Sequence, residues 1–222
     1  MEECISIFDM LKIGVGPSSS HTLGPWRAAE RFLEELRQDF DLNSITRVKV
    51  DLYGSLSLTG QGHATDLAVM LGLSGQDPEY IPVQDIDGII KAIENNHLIQ
   101  LGNEKALPFY ILQDIVFHKE FLPFHANGLT FTAFFENETE YASTFYSIGG
   151  GFVVKEERSN AKKKIAIKCA FPFPINNAAE LLDYTQKENK SISEIVYANE
   201  ISMRPEAEVH SELLRIWHTM LE

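Results

Sequence analysis

The segment "ITRVKVDLYGSLSLTGQGHATDLAVMLGL", residues 45–73, contains the pattern that decides the fold class. In its first part, apolar residues such as Ile45, Val48 and Val50 alternate with polar neighbours, which predicts a half-buried β-strand. A loop of glycine, serine and threonine follows, and it ends with His63 just before an apolar run that predicts a helix. The order strand, polar loop and helix indicates a protein that contains both kinds of element.

A second stretch, "GVGPSSSHTLGPWRAAERFLEEL" at residues 14–36, repeats this arrangement of polar loop and helix. Ser18, Ser19, Ser20, His21 and Thr22 stand in a row immediately before apolar residues at helical spacing. Those apolar residues predict a helix from about residue 23; they are Trp26, Ala29, Leu33 and Leu36. Both stretches therefore place a histidine in a glycine-flanked loop at the start of a helix.

The row of hydroxyls at residues 18–22 allows two interpretations. Hydroxyls and unpaired backbone N–H groups at a helix start can bind an anion, because the first turn lacks intrahelical acceptors and the helix dipole favours negative charge. No lysine follows at the spacing of a nucleotide-binding P-loop, so a small carboxylate is a better candidate than a nucleotide. The alternative is that the serines simply cap the helix and complete a turn.

His21 and His63 are candidates for a base or a proton shuttle, because imidazole exchanges protons near neutral pH. A single loop histidine is more often a surface or capping residue, but two helix starts can converge on one ligand. Asp66 either orients an imidazole or caps the following helix, and the cap is the favoured interpretation.

Two further loops carry candidate residues. In "LPFHANGLTF", residues 122–131, Asn127 precedes a glycine, which is the expected turn dipeptide, and the role of His125 stays open. In "YSIGGGFVV", residues 146–154, three consecutive glycines predict a bulge or a backbone that a ligand approaches closely, and the bulge is favoured.

The rest of the chain predicts an α+β fold. Four segments rich in β-branched and aromatic residues predict an antiparallel set of strands at residues 107–118, 128–137, 139–149 and 150–157. The segment "DIDGIIKAIENN" predicts a short helix that starts near an aspartate cap. We therefore expect a mixed sheet of about four to six strands with helices packed on one face.

A change of composition after residue 154 predicts a domain boundary. We expect one domain at residues 1–155, and a linker with the first helices of a second, truncated domain at residues 156–222. Three helices with caps at Asn177, Ser191 and near Arg204 fall in this second part. The last helix carries apolar residues that need a partner, which predicts self-association, most simply as a homodimer.

Composition excludes several functional classes. The net charge of −13, from 32 acidic and 19 basic residues, argues against nucleic acid or an anionic membrane surface as the partner. No apolar run has the length of a membrane span, and the N-terminus lacks the basic start of a secretory signal, so we expect a cytoplasmic protein. The two cysteines, Cys4 and Cys169, are far apart and support neither a disulfide framework nor a metal site.

Four motifs, in order, resemble those of the iron–sulfur type bacterial L-serine dehydratases. They are "SIFDMLKIGVGPSSSHTLGPWRAA", "LYGSLSLTGQGHATDLAVMLGL", "FHANGLTFTA" and "YSIGGGFV". The tail around "NEISMRPEAEVHSELLRIWHTM" is similar to the family's bridge into its α, or catalytic, domain. The resemblance covers the whole chain and about the first half of the family's length.

This resemblance implies deamination of L-serine to pyruvate and ammonia without pyridoxal phosphate. In the family, a [4Fe-4S] cluster with one iron that lacks a cysteine ligand acts as a Lewis acid on the substrate hydroxyl. The cluster cysteines belong to the catalytic α domain, which is missing from this sequence. The resemblance therefore implies that the chain alone binds no cluster, holds no metal and does not turn over serine.

The resemblance also assigns roles to residues. The serine-rich loop would face the active site and hold the serine carboxylate through Ser18, Ser19, Ser20 and Thr22. His63 would be the base, with His21 as the alternative. Further substrate contacts are implied for the residues that match the third and fourth motifs, namely His125, Asn127, Gly149 and Gly150, with Tyr146, Ser147 and Gly151 in the same segments. Ala126 stands where the family usually has proline.

Two other functions remain open. Domains of this family resemble the substrate-binding regulatory domain of some phosphoglycerate dehydrogenases, so the chain could be a serine-binding regulatory module without catalysis. The third possibility is an interaction domain with no small ligand, which leaves the two loops of serine and histidine unexplained.

Overall fold

The structure is a computed structural model, and it describes residues 5–156 and 171–221. The described residues form two compact units, residues 14–156 and residues 5–13 with 171–221. Cys4 and Cys169, for which we expect no metal or disulfide role, lie outside the described residues. Among the residues that are described, no helix is both long enough and apolar enough to cross a bilayer.

The first unit contains a five-stranded sheet and a separate hairpin. The strands of the sheet are β1 (Ile45–Leu52), β4 (Ile115–Phe117), β5 (Gly128–Phe135), β6 (Glu140–Gly149) and β7 (Phe152–Lys155) in the order β4-β1-β5-β6-β7. The hairpin consists of β2 (Leu98–Leu101) and β3 (Lys105–Pro108). The predicted α+β class with a mixed sheet is confirmed.

The helices of this unit are α2 (Gly24–Asp39), α3 (Gly54–Leu58), α4 (Thr65–Leu73), α5 (Val83–Asn96) and α6 (Ile111–Asp114). Short turns of π-helix at Ser19–Leu23 and of 3-10 helix at Leu42–Ser44 and Gly60–His63 connect them. Pro25 lies in the first turn of α2, where its missing N–H is tolerated. The loop predicted between β1 and His63 is wrong in part, because much of it folds into α3 and the 3-10 turn.

The core lies between α2 and one face of the sheet. The ring of Phe32 on α2 stacks on that of Phe131 on β5 at 5.2 Å, and both side chains are fully buried. Phe145 on β6 completes the aromatic layer with its edge against Phe131. The opposite face of the sheet is polar. There, Asp51 on β1 forms an ion pair with Lys49 and accepts a hydrogen bond from Nε2 of His118. This one-sided burial is the reason for the alternating pattern of β1.

Three local predictions for this unit are wrong. The set of strands is not wholly antiparallel, because β4 pairs with β1 in parallel, with Val50 opposite Ile115. The predicted strand at residues 107–118 is interrupted by α6, where Asp114 accepts the Tyr110 backbone N–H and an Arg47 hydrogen bond. Helix α5 begins at Val83 after Pro82, without a side-chain cap, so no aspartate caps it.

The second unit is helical, with α1 (Ile7–Met10), α7 (Ala178–Glu188), α8 (Ile192–Met203) and α9 (Glu206–Leu221). The predicted caps at Asn177 and Ser191 are confirmed, since each side chain accepts the backbone N–H three residues on. Helix α9 begins two residues after Arg204. Within this unit, the buried carboxylate of Glu200 accepts hydrogen bonds from Ser6 Oγ and the Ile7 N–H, both at 2.7 Å.

A partly buried carboxyl on α2 makes the stability of the first unit pH-dependent. Burial raises the pKa of Glu30 to about 7, and Arg27, whose Nη1 is 2.9 Å from the carboxylate, opposes this shift only in part. A folded-state pKa above the unfolded value means that this contribution is complete at low pH and is lost as pH rises through about 7.

We therefore expect Glu30→Gln to remove a decline in the free energy of unfolding of about 1 kcal/mol between about pH 5 and pH 8, a magnitude reduced for partial solvent screening. Urea unfolding of both proteins at several pH values measures it. Asp39→Asn, at an exposed position of the same helix, is the matched control and should keep the decline. An identical decline in Glu30→Gln would contradict the assignment.

Candidate active site

Two loops of the first unit bring His21 and His63 together. His21 lies in the π-helical turn before α2, and His63 ends the 3-10 turn before α4. Their ring centroids are 5.1 Å apart, although the residues are 42 positions apart in the sequence. The two helix starts therefore converge, as the repeated sequence pattern predicts.

Two buried threonines join these loops reciprocally. Thr22 Oγ1 donates to the carbonyl oxygen of His63 at 2.8 Å, and Thr65 Oγ1 donates to the carbonyl oxygen of His21 at 2.6 Å. The Thr22 and Thr65 residues are almost fully buried. Because each hydroxyl holds the backbone of the opposite histidine, the separation of the two rings is set by a pair of well-shielded hydrogen bonds.

Both ring nitrogens of His21 are hydrogen-bonded. Nδ1 lies 2.9 Å from Ser20 Oγ, and Nε2 lies 3.0 Å from Ser55 Oγ at the start of α3. Burial, and secondly the nearby His63 ring, lower the pKa of His21, while an interaction with Ser55 opposes this shift. His21 therefore favours the neutral form more strongly than a free histidine does.

The ring of His63 has different surroundings. Within residues 5–156 and 171–221, its ring nitrogens make no hydrogen bond, and the side chain is half-buried. An imidazole with an uncommitted nitrogen next to a polar loop can accept a proton from a bound molecule. Asp66 makes no hydrogen bond to this ring in the described residues; its Oδ1 accepts the Leu67 N–H at 3.0 Å. The N-cap position of α4 is Ala64, without a side-chain cap, so Asp66 satisfies one N–H group inside the first turn and does not cap the helix.

The serine-rich loop combines capping with free donors. Ser18 Oγ accepts the His21 N–H at 3.2 Å, which confirms a capping role for this serine. Ser19 is exposed, and the backbone N–H groups of Ser19 and Ser20 have no acceptor in the described part of the chain. The two interpretations of the loop are therefore compatible, because one serine caps the turn while the donors of its neighbours stay available to an anion.

The third and fourth motifs meet behind this loop. Asn127 Nδ2 donates to the carbonyl oxygen of Ser147 at 3.0 Å, and the Ser147 N–H donates to the Asn127 carbonyl. Ser147 Oγ then donates to the carbonyl oxygen of Ser20 at 2.7 Å. In the described residues, Asn127 is therefore linked to the serine-rich loop through Ser147. His125 Nδ1 accepts the N–H of Asn127 in its own turn.

The glycine triplet forms the turn between β6 and β7. Gly149, Gly150 and Gly151 have φ of 97°, 60° and 75°, which is the left-handed region that favours glycine. The strand register shifts between Ser147 and Gly149, so the favoured interpretation as a bulge is confirmed. A side chain at Gly149 would meet open space, which leaves its backbone accessible.

Sequence reasoning missed two residues of this network, Ser55 and Thr65. Both lie inside the quoted motif at residues 45–73, but a serine at a helix start and a threonine before an apolar run read as ordinary capping residues. Their partners lie on the other loop, and local patterns contain no signal for such a contact.

The chain is similar to known proteins over almost its whole length. The model of the family described as serine dehydratase beta chain matches residues 6–158. L-serine dehydratase of Haemophilus influenzae is 38% identical over 218 residues, which is 97% of this chain and 48% of the relative. L-serine dehydratase 1 of Escherichia coli is 40% identical over 217 residues, which is 97% of this chain and 47% of the relative. L-serine dehydratase of Streptomyces coelicolor is 40% identical over 218 residues, which is 97% of this chain and 48% of the relative. The chain spans about half the length of these curated relatives.

Proposed function

The chain belongs to the serine dehydratase beta chain family, and from this premise we propose that it is the N-terminal part of an L-serine dehydratase. This part would supply the residues that bind L-serine and move its α-proton. The observation that carries the proposal is the pair of converging histidines beside a loop with free N–H donors. In the described residues, His21 is hydrogen-bonded at both ring nitrogens, whereas the ring of His63 makes no hydrogen bond. A regulatory serine-binding module would need no such pair.

In the proposed binding mode, the substrate carboxylate lies on the serine-rich loop. The free N–H groups of Ser19 and Ser20 and the serine hydroxyls at the start of α2 are donors, and the positive end of the helix favours an anion there. Gly149 would lie along the substrate, because a Cβ there would meet nothing within 4 Å, and Gly150 would follow it in the same turn. Asn127 would act through Ser147, which holds the Ser20 carbonyl.

We propose that His63 is the base that removes the α-proton. The imidazole accepts the proton from Cα, the electron pair forms the Cα–Cβ double bond, and the hydroxyl leaves from Cβ. The resulting aminoacrylate becomes an imine, which water hydrolyses to pyruvate and ammonia. His21 would stay neutral beside this proton, which avoids a second positive charge next to the protonated base.

The iron–sulfur cluster does not fit the described residues of this chain. A [4Fe-4S] cluster is held by cysteine thiolates, and the sequence contains two cysteines. In residues 5–156 and 171–221, no group of three or more histidine, cysteine, aspartate or glutamate side chains could hold a metal ion. We propose that the cluster ligands lie in the part of the relatives that this chain does not span, and no step above is derived through the cluster.

Exposed apolar side chains support a further part of the protein. Leu58, Phe121 and Phe124 are more than half exposed, and they belong to the segments that carry Ser55 and Asn127. The relatives are about twice as long as this chain, so we propose that their remaining half, the catalytic α domain, covers these loops. The helices after residue 156 would then open that domain.

A homodimer is the proposed assembly. On α9, the apolar side chains of Leu214, Trp217 and Met220 are exposed, with Trp217 at 54% and Met220 at 72%. A helix face of this kind normally lies against another apolar surface. Symmetric pairing of two copies is the commonest way to cover such a face.

The decisive experiment starts from the gene. Reading past the codon for Glu222 and expressing the complete frame under anaerobic conditions gives the protein to assay for pyruvate formation from L-serine. We expect equal amounts of pyruvate and ammonia from the complete protein, no pyruvate from the 222-residue chain, and no pyruvate from D-serine. A complete, cluster-loaded protein that binds L-serine without pyruvate formation would replace catalysis by the regulatory function.

A further inference from the structure

Ser55 is the one side chain outside the serine-rich loop that contacts the ring of His21 through a hydrogen bond in the described residues. Its Oγ lies 3.0 Å from Nε2, opposite the Ser20 contact at Nδ1. A neutral imidazole has one donor and one acceptor nitrogen, so the two serines together decide which nitrogen carries the proton.

The hydroxyls of Ser18 and Ser20 form a row of contacts that ends at Nδ1 of His21. Ser18 Oγ already accepts the His21 N–H at 3.2 Å, and its hydroxyl neighbour is Ser20 Oγ at 3.5 Å. One arrangement of this row has Ser18 donating to Ser20 and Ser20 donating its own proton to Nδ1 of His21. Nε2 must then carry the ring proton and donate to Ser55.

Ser55 is held firmly enough to act in this way. Its backbone N–H donates to the carbonyl oxygen of Ala126 at 2.9 Å, and its carbonyl accepts from Thr59 Oγ1 at 2.8 Å. The residue before it, Gly54, donates its N–H to the backbone carbonyl oxygen of Glu120 at 2.8 Å. These bonds fix the start of α3 against the loop that carries Asn127, so the hydroxyl of Ser55 has a defined place beside His21.

We propose that Ser55 is a positioning residue that holds His21 as the neutral tautomer with its proton on Nε2, and thereby leaves His63 as the ring that accepts the substrate proton. The second clause rests on the proposed function, whereas the first concerns this chain alone. With both nitrogens committed, His21 can accept a further proton only by breaking its bond to Ser20.

Nitrogen-15 spectra of the histidine side chains in the 222-residue chain test the first clause. We expect His21, identified by its loss in His21→Gln, to show a protonated Nε2 and an unprotonated Nδ1. Ser55→Ala should convert this into a mixture of tautomers, whereas Ser55→Thr, which keeps the hydroxyl, should preserve it. Ser57→Ala on the same short helix is the matched control and should change nothing. A proton on Nδ1, or a tautomer insensitive to Ser55→Ala, overturns the proposal.

Kinetics of the complete enzyme test the second clause. We expect Ser55→Ala to lower kcat by about 10- to 100-fold with less than about a threefold change in KM, because the ring is misplaced rather than the carboxylate site. Ser55→Thr should recover most of kcat. An unchanged kcat with a changed His21 tautomer would show that the tautomer set by Ser55 does not matter for turnover. Absence of turnover in the unsubstituted enzyme would instead reject the proposed function, while the spectra still decide the tautomer.

Discussion

Replacing His63 by alanine in the complete enzyme is expected to lower kcat for L-serine by about 10³-fold, since removal of a general base typically costs 10²- to 10⁴-fold. The substitution should leave the absorption spectrum of the cluster intact, because His63 lies in a loop of this chain and the proposed cluster ligands lie elsewhere. It should also change KM little, because the proposed carboxylate contacts come from the serines of the serine-rich loop and not from His63. Initial rates of pyruvate formation measure both constants.

Chemical rescue makes this prediction specific. The ring of His63 is half-buried, so its removal should open a space that free imidazole can enter. Added imidazole should restore part of kcat in His63→Ala, and the rescue should increase with the unprotonated fraction of imidazole as pH rises. His218→Ala, on an exposed part of α9, is the matched control and should retain full activity.

His21→Ala separates the two histidines. We expect it to lower kcat as well, because the ring that adjoins His63 is lost. Imidazole should not restore the rate, since in the proposed mechanism the substrate proton goes to His63. Rescue of His21→Ala without rescue of His63→Ala would show that His21, and not His63, is the base. Serine binding that is insensitive to both substitutions, with no turnover in any variant, would favour the regulatory module.

The elements of the first unit with clear periodicity could be predicted from the sequence. The strand at Ile45–Leu52 alternates because one face is buried in the core and the other is polar. The helix that contains Trp26 and Leu33 shows helical spacing because one side of it is fully buried. In such elements, the burial of each side chain follows from its position in the element alone.

Where long-range partners decide the local structure, the sequence was insufficient. Residues 107–118 contain β-branched and aromatic residues throughout, yet Asp114 turns the middle of this segment into a helical turn by accepting the Tyr110 N–H. The parallel pairing of Ile115 with Val50 depends on how the chain returns to the sheet. Neither contact leaves a periodic signal.

The candidate site divides in the same way. The hydroxyl-rich loop and the two histidines stand out because such residues are unusual in front of apolar helices. Their convergence depends on Thr22 and Thr65, whose bonds reach across 41 and 44 positions of the sequence. A buried threonine at a helix start is common, so only the folded arrangement distinguishes these two as the link between the histidines.

Replacing Gly54 by alanine is expected to cause a large loss of stability in the first unit. Gly54 has φ of +54°, and an added Cβ would lie 2.3 Å from the carbonyl oxygen of Ala126 and 2.7 Å from the ring of Phe121. The left-handed conformation alone costs an alanine about 1 kcal/mol, and the clash with a backbone oxygen adds to it. We expect the free energy of unfolding to fall by about 3 kcal/mol in urea denaturation.

Gly62→Ala is the matched control, because a Cβ at Gly62 meets nothing within 4 Å and the residue lies in the loop that carries His63. It should change the free energy of unfolding by less than about 0.5 kcal/mol. Equal stabilities of the two variants would contradict the backbone packing at Gly54.

Gly54→Ala should also act on the site, because the carbonyl oxygen that its Cβ displaces is the acceptor of the Ser55 N–H. Movement of Ala126 shifts Ser55 away from Nε2 of His21, so the histidine spectra of the folded variant should resemble those of Ser55→Ala. A destabilised variant with an unchanged His21 tautomer would show that the position of Ser55 does not depend on this loop. Stability and site geometry are therefore coupled through one carbonyl group, that of Ala126.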